Sequence, residues 1–104
     1  RIEEIAYSPA SISAIDEDFE RALREALTRH TGSDEAFKYM LPAGTDSRYI
    51  RQLGGQAAGV EIYSPLVDMK DIDLRVHGPN EYIDIDSLRR SAEFFLDLAE
   101  RMLG

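Results

Sequence analysis

Cysteine is absent from this sequence of 104 residues, and histidine occurs only twice. Without cysteine the chain has neither a disulfide framework nor a thiolate site, which fits a reducing cytoplasm. Any metal must therefore be bound by His, Asp or Glu side chains. The sequence also lacks an apolar run near the roughly 20 residues that span a bilayer, a signal-peptide core and an initiator methionine. We expect a cytoplasmic protein, and the missing methionine suggests a fragment or a processed chain.

Basic side chains are scarce as well. The 12 Lys and Arg residues stand against 20 Asp and Glu residues, which gives a formal net charge of -8. Binding to a phosphate backbone needs clustered cations, so neither a nucleic acid nor an anionic membrane surface is an expected partner. A chain of this length forms one domain that buries roughly two-thirds of its unfolded surface. The composition predicts a single acidic domain with a hydrophobic core.

Two amphipathic helices are predicted from apolar residues at steps of three and four. The first runs from Ile15 to Arg29, where Ser13 and Asp16 resemble a capping box and Gly32 supplies a stop. The second runs from Asp86 to Met102, places its apolar residues on one stripe and is expected to close the fold. That stripe consists of Leu88, Ala92, Phe95, Leu96, Ala99 and Met102.

Between these helices the sequence predicts strands. Short apolar or aromatic runs bounded by Gly and Pro occupy Phe37–Leu41 and Ala57–Tyr63, and Ile2–Tyr7 is a further strand candidate. Thr45 is placed to cap a short helix from Asp46 to Leu53, which ends at two glycines. Strands that alternate with amphipathic helices predict an α/β layered fold, with largely parallel strands and flanking helices.

The pentapeptide His77-Gly78-Pro79-Asn80-Glu81 is the first candidate site. Neutral imidazole is the commonest metal ligand, and a histidine in a Gly-Pro loop can face a cleft. Glu81 is a candidate to accept the second imidazole N–H, although Pro79 argues against a regular helix that would align it with His77. The alternative is a loop histidine beside a solvated charge, and residue types alone favour that alternative.

The segment from Gly44 to Tyr49 is the second candidate site. Glycine allows a close backbone approach, and the start of a helix presents free N–H groups. Together with the Thr45 hydroxyl and the Arg48 guanidinium, this segment could bind a substrate carboxylate or an oxyanion. The alternative is a capped helix in which Asp46 and Arg48 pair with their neighbours.

Two other features do not predict a site. The acid-rich stretch from Asp68 to Asp86 fails as an EF-hand, because the fifth loop position counted from Asp71 is Arg75. His30 lies near the end of the first predicted helix, where the helix dipole favours a cation. We therefore expect a structural role for His30.

Four motifs occur in one order along the chain: Gly44-Thr45-Asp46-Ser47-Arg48-Tyr49-Ile50-Arg51, Leu53-Gly54, Tyr63-Ser64-Pro65-Leu66 and His77-Gly78-Pro79-Asn80-Glu81. In this order the chain resembles the C-terminal part of the catalytic domain of zinc metallopeptidases and deacylases of the aminoacylase, carboxypeptidase S, acetylornithine deacetylase and succinyl-diaminopimelate desuccinylase family. Residues 1–8 resemble the exit from a lid domain, and residues 9–104 resemble the catalytic part. Residues 47–49 and 63–65 look closer to the aminoacylase and carboxypeptidase S branch.

The resemblance implies hydrolysis of an amide bond in small peptides or N-acyl amino acids at two zinc ions, with cobalt or manganese as alternatives. His77 matches the last metal ligand of the family, and Glu81 matches the acidic residue of the same motif, for which we predict a supporting role. The residues that match the substrate-pocket turn and its neighbour are Gly44, Thr45, Asp46 and Arg48.

The other metal ligands of the family, and its general base, lie upstream of the matching region and have no counterpart in this chain. Catalytic zinc normally needs three protein ligands. We therefore predict that these 104 residues contain no catalytic residue and are inactive alone. The resemblance allows a homodimer through the lid, and the oligomeric state stays open. Two alternatives remain open: a free-standing, non-catalytic interaction module derived from that fold, and a small acidic structural domain whose motifs are coincidental.

Overall fold

A computed structural model describes residues 3, 9–35, 40–41 and 43–104. Four helices form in this part of the chain: α1 (Glu17–Thr31), α2 (Ser47–Gln52), α3 (Met69–Arg75) and α4 (Ile85–Leu103). None of the described residues belongs to a β-strand. Within the same ranges, every helix is too short or too polar to cross a membrane.

The predicted α/β layered fold with largely parallel strands is therefore wrong for the described residues, which are helical. The predicted strand Ala57–Tyr63 lies against α4 instead of beside another strand. Ser91 Oγ donates a hydrogen bond to the Ile62 carbonyl at 2.9 Å, and the Ser64 N–H donates to Ser87 Oγ at 2.8 Å. These backbone groups are satisfied by serine hydroxyls, whereas a β-ladder would use backbone groups of a neighbouring strand.

The other two predicted strands fall almost entirely outside the described residues. Of Ile2–Tyr7 only residue 3 is described, and of Phe37–Leu41 only residues 40 and 41 are described. Both Met40 and Leu41 are exposed. The described residues thus provide no neighbouring strand for Ala57–Tyr63.

The first helix was predicted correctly in type and position, but not in its cap. Asp16, and not Ser13, is the N-cap, and its Oδ1 accepts a hydrogen bond from the Phe19 N–H at 2.9 Å. Acidic side chains in the first turn suit the positive end of the helix dipole. Gly32 ends the helix with φ of 78°, as predicted, because glycine adopts the left-handed conformation without a Cβ penalty.

The core lies where α1 packs on α4. Ala26 and Phe94 are fully buried, and Leu23 and Ile62 complete the buried cluster. Full burial of a side chain of the size of Phe94 contributes roughly 1.5–3 kcal/mol. Ile62 lies in the segment that Ser87 and Ser91 of α4 bind, so its burial packs this segment into the core between α1 and α4. Partly buried residues that pack against this cluster are Leu27, Val60 and Leu98.

A polar cluster borders this core at Asp97, which is buried on α4. His30 Nε2 lies 3.1 Å from Asp97 Oδ2, Arg29 Nη1 lies 3.2 Å from Oδ1, and Arg101 Nε donates to Oδ1 at 3.0 Å. Burial by itself raises the pKa of Asp97, but the hydrogen bonds and charges of these neighbours outweigh it, so the pKa lies below its ordinary value. The location fits the structural role predicted for His30.

The apolar stripe predicted for the last helix does not face this core. Leu88, Phe95, Leu96 and Met102 are between 47% and 62% exposed, whereas Ser87, Phe94 and Asp97 on the opposite side are buried. Phe94, Ser87 and Ser91 determine which side of α4 faces inward. Phe94 packs in the core with residues of α1, and the two serines hydrogen-bond to Ser64 and Ile62. We call the exposed set Leu88, Ala92, Phe95, Leu96, Ala99 and Met102 the outer stripe.

The two short helices differ in how well the sequence predicted them. α2 was expected at Asp46–Leu53 and is confirmed, and Gly54 with φ of 81° follows it. α3 was not predicted, although Asp68 is a standard N-cap whose Oδ1 accepts from the Lys70 N–H at 2.9 Å. The acidic residues that fail as calcium ligands instead lie at its N-cap and in its first turn. Ile72 is the residue of α3 that reaches the interior.

Candidate functional site

The predicted metal motif forms a tight loop at the end of α3, which we call the His77 loop (residues 76–81). His77 and Asn80 have φ of 58° and 57°, and they are the two non-glycine residues with positive φ in the described part of the chain. A left-handed residue other than glycine costs on the order of 1–3 kcal/mol, although Asn and His adopt this conformation more readily than most. Both constrained residues therefore lie inside the pentapeptide that the sequence singled out.

Gly78 explains why this loop can turn so sharply. A Cβ on Gly78 would lie 2.7 Å from the Leu74 carbonyl oxygen and 3.2 Å from that of Arg75. The Gly78 N–H donates to the Arg75 carbonyl at 2.9 Å, so the loop folds directly back on the last turn of α3. No side chain fits at this position without moving backbone atoms. The exposed His77 precedes this glycine.

A shallow hollow of about 440 Å³ lies beside the loop. Arg75 forms part of its wall, with its guanidinium carbon 4.5 Å from the centre of the Tyr82 ring. Glu81 lines the hollow, whereas His77 lies outside the lining. The remaining lining residues are Tyr63, Ile72, Val76, Tyr82 and Ile83. The structure thus places His77 and Glu81 on one loop, with Glu81 at an apolar hollow.

The second predicted site, residues 44–48, forms the turn before α2, and we call it the substrate turn. The Arg48 guanidinium lies over the Tyr49 ring at 4.8 Å from its centre, and Nη2 donates to the Tyr49 hydroxyl at 2.9 Å. A Cβ on Gly44 would lie 3.6 Å from Arg48 Nη1. That distance is an ordinary van der Waals contact, and the structure thus brings Gly44 and the Arg48 guanidinium together.

The predicted cap of α2 is wrong. Asp46, and not Thr45, is the N-cap, and it makes no side-chain capping bond. Thr45 contributes through its backbone, since its carbonyl accepts from the Arg48 N–H at 3.3 Å. The Thr45 residue is exposed. In this arrangement the Arg48 side chain, and not the dipole of a six-residue helix, is the group suited to binding an anion.

The described residues do not complete a metal centre. No group of three or more His, Asp or Glu side chains that could hold a metal ion occurs among them. His77 and Glu81 are exposed and supply at most one imidazole and one carboxylate. Because catalytic zinc normally has three protein ligands, this part of the chain does not fit a complete zinc site.

Sequence reasoning missed the residues that hold the substrate turn in place, above all Arg51 and Gln56. Their partners lie 38 to 40 residues earlier, in the segment before α1. No periodic pattern predicts a polar contact over that distance. The sequence offered one signal for this role: Arg51 is a second arginine, three residues after Arg48 on the same short helix.

One comparison with known proteins gives a match. The family model described as peptidase family M20/M25/M40 matches residues 1–101. No curated protein matches the chain, and no solved structure matches it. Peptidases of this family are generally metal-dependent hydrolases. A match of this length argues against coincidence as the origin of the four motifs. Because the match extends over nearly all of the sequence, this chain belongs to peptidase family M20/M25/M40.

Proposed function

We propose that the chain supplies the C-terminal part of the catalytic domain of a zinc-dependent hydrolase that cleaves amide bonds in small peptides or N-acyl amino acids. Its family supports a peptidase-type, metal-dependent hydrolase. Residues 47–49 and 63–65 favour the aminoacylase and carboxypeptidase S branch. Cobalt or manganese could replace zinc at His and carboxylate ligands. The lack of cysteine favours a cytoplasmic location, and the whole enzyme is proposed to act as a homodimer.

The His77 loop is the observation that carries this proposal. A solvated loop histidine needs no special backbone, yet His77 is held in a left-handed conformation next to a glycine that no other residue can replace without a clash. Constrained residues of this kind concentrate at functional sites. We assign His77 as a metal ligand, and Glu81 as the carboxylate that supports it from the same loop.

The substrate turn is proposed to bind the carboxylate of the substrate. A guanidinium offers a planar pair of donors to a carboxylate, and stacking on Tyr49 keeps that plane in a fixed orientation. Thr45 adds an exposed hydroxyl, and Gly44 gives the substrate close access to the backbone. Asp46 completes the proposed lining and would select against a second negative charge on the substrate.

The chain alone is proposed to be inactive. It contains none of the catalytic residues that the resemblance implies, and one histidine ligand cannot hold a zinc ion that needs three. The His77 loop and the substrate turn would therefore complete a centre whose other ligands come from outside these 104 residues.

The two histidines of the chain provide a matched test. In the protein that carries this chain, zinc content and hydrolysis of N-acyl amino acids and dipeptides should be measured for His77→Ala and for His30→Asn. Loss of a metal ligand should lower activity by at least about 100-fold, since even residues that support a ligand contribute about 10–100-fold. His30→Asn should keep its metal and activity. Full metal content and activity in His77→Ala would refute the proposal.

A second candidate is a non-catalytic interaction module, and the outer stripe of α4 favours it. This stripe leaves large side chains such as Leu88 and Leu96 more than half exposed, which is typical of a surface that packs against another protein segment. Two variants distinguish the candidates. In an interaction module, His77→Ala leaves the biological activity unchanged, whereas Leu96→Glu abolishes it.

A further inference from the structure

α2 is held in place without any buried side chain. None of its six described residues is buried, and Tyr49 and Ile50 are each about half exposed, at 51% and 48%. Apolar burial normally fixes a helix on a domain, and a helix this short is marginal without tertiary contacts. Polar contacts of Arg51 instead join α2, and the substrate turn at its start, to a distant part of the chain.

Arg51 makes the first set of these contacts. Its Nη1 donates to Ser11 Oγ at 2.8 Å, and its Nη2 donates to Ser13 Oγ at 2.6 Å and to the Ala57 carbonyl at 3.1 Å. One guanidinium thus joins α2 both to the segment before α1 and to the segment that follows α2. Lysine could not reproduce this arrangement, because it lacks the planar fork of donors.

Gln56 makes the second set, five residues further along the chain. Its Oε1 accepts from the Asp16 N–H at 2.7 Å, and its Nε2 donates to Asp16 Oδ2 at 2.8 Å. Asp16 uses its other carboxylate oxygen to cap α1 through the Phe19 N–H. Gln56 is therefore bound to the residue that starts the helix of the core. We call the contacts of Arg51 and Gln56 together the polar clamp.

The Arg51 guanidinium binds through its two terminal nitrogens. Its Nε is buried and has no hydrogen-bond partner among the described residues, so the three bonds of Arg51 in the clamp come from Nη1 and Nη2.

We infer that Arg51 is a positioning residue for substrate binding: through the polar clamp it fixes the substrate turn, and so Arg48, against the N-terminus of α1. This inference rests on the proposed function of the substrate turn. Arg51 itself points to serine hydroxyls and a carbonyl, and it acts on the substrate only through the position of Arg48. The clamp makes the affinity for a substrate carboxylate depend on contacts with residues 11–16.

The test compares Arg51→Met with Arg21→Met in the protein that carries this chain. Arg21 is an exposed arginine of α1 that pairs with Asp18, so it controls for loss of one surface charge. Amide hydrogen exchange of α2 and α4 should be measured together with KM and kcat for a carboxylate-bearing substrate. Arg51→Met should speed exchange in α2 and raise KM by about tenfold, the factor expected when a displaced Arg48 loses one charge-assisted hydrogen bond to the substrate carboxylate. Exchange in the inner turns of α4, and kcat, should change little.

A double-mutant cycle with Ser13→Ala tests whether the effect passes through the clamp. If it does, Ser13→Ala should raise KM in the same direction, and the double variant should be no worse than Arg51→Met alone. Arg51→Lys should not restore KM, whereas a role of charge alone predicts that it would.

The outcomes separate the two proposals. Unchanged exchange in α2 of Arg51→Met would overturn the inference. Faster exchange with unchanged KM would also overturn it as a statement about binding, because α2 would then be clamped without any bearing on the substrate. Absence of amide hydrolysis by the wild-type protein would instead refute the proposed function. The exchange result would still show whether Arg51 holds α2 in place.

Discussion

The core region and the site region of this chain are stabilised in opposite ways. Where α1 packs on α4, Phe94 and Ala26 are fully buried, and two serine hydroxyls of α4 bind the backbone of residues 62 and 64. Around the substrate turn nothing is buried in α2, and the polar clamp replaces apolar contact. Apolar burial tolerates changes in orientation, whereas hydrogen bonds fix directions. The comparison teaches that the stability of the fold and the geometry of the site depend on different residues.

Phe94→Ala should produce the largest loss of stability. It removes a fully buried ring from the core, which typically costs about 3–5 kcal/mol. Chemical denaturation followed by circular dichroism measures the change. Phe95→Ala is the matched control, because the neighbouring ring is 49% exposed and should cost much less. Equal losses for the two variants would contradict the orientation of α4.

Gly78→Ala should produce the next largest effect, and it should fall on the site region. The new Cβ would lie 2.7 Å from a backbone oxygen, so the end of α3 or the His77 loop must move. We expect a loss of about 1–3 kcal/mol, the range for overpacking. Gly59→Ala is the control, because a Cβ there meets nothing within 4 Å and the backbone needs no left-handed conformation. A Gly78→Ala variant as stable as wild type would show that the loop is looser than described.

His77→Gly should act in the opposite direction. Glycine adopts positive φ without a Cβ penalty, so this variant should gain up to about 1 kcal/mol of stability. It should at the same time lose the metal that His77 is proposed to bind. A gain in the thermal midpoint together with lost metal would separate stability from function at one residue. Lower stability would mean that the His77 side chain makes contacts that hold the loop.

The smallest expected effect concerns acid pH and the Asp97 cluster. The pKa of Asp97 in the folded protein lies below its unfolded value of about 4, so its contribution to stability is complete above that pH. That contribution is lost as the pH falls through the folded pKa. The free energy of unfolding should therefore fall more steeply below pH 4 in wild type than in Asp97→Asn, where this carboxylate is missing. Parallel curves for the two proteins would contradict the role of the cluster.

What the sequence could predict was what local residues decide. Gly32 and the acidic first turn located α1, and the paired glycines located the end of α2, because caps act within a few residues. Asp16, and not Ser13, is the cap, and it also binds Gln56, which lies far away in sequence. The motif positions of His77 and Arg48 came from the family resemblance, and family membership is confirmed by the match.

What the sequence could not predict depends on contacts between distant segments. The apolar run Ala57–Tyr63 has the composition of a strand, but its state is decided by which segment reaches its backbone groups, and here that segment is α4. The inward side of α4 was missed for a related reason. Its outer stripe is more apolar than the side that carries Ser87 and Asp97, so a ranking by hydrophobicity selects the wrong face.

The two serines of α4 also set a rule for chain length. Ser87 and Ser91 are four residues apart, about 6 Å along a helix, and they bind the Ser64 N–H and the Ile62 carbonyl, two groups that only Tyr63 separates. Both hydrogen bonds form together only while one residue separates the carbonyl from the N–H. A single inserted residue between Gly59 and Ile62 leaves this fit intact, whereas one between Ile62 and Ser64 breaks it. Among relatives of this chain, insertions and deletions should therefore avoid positions 62 to 64.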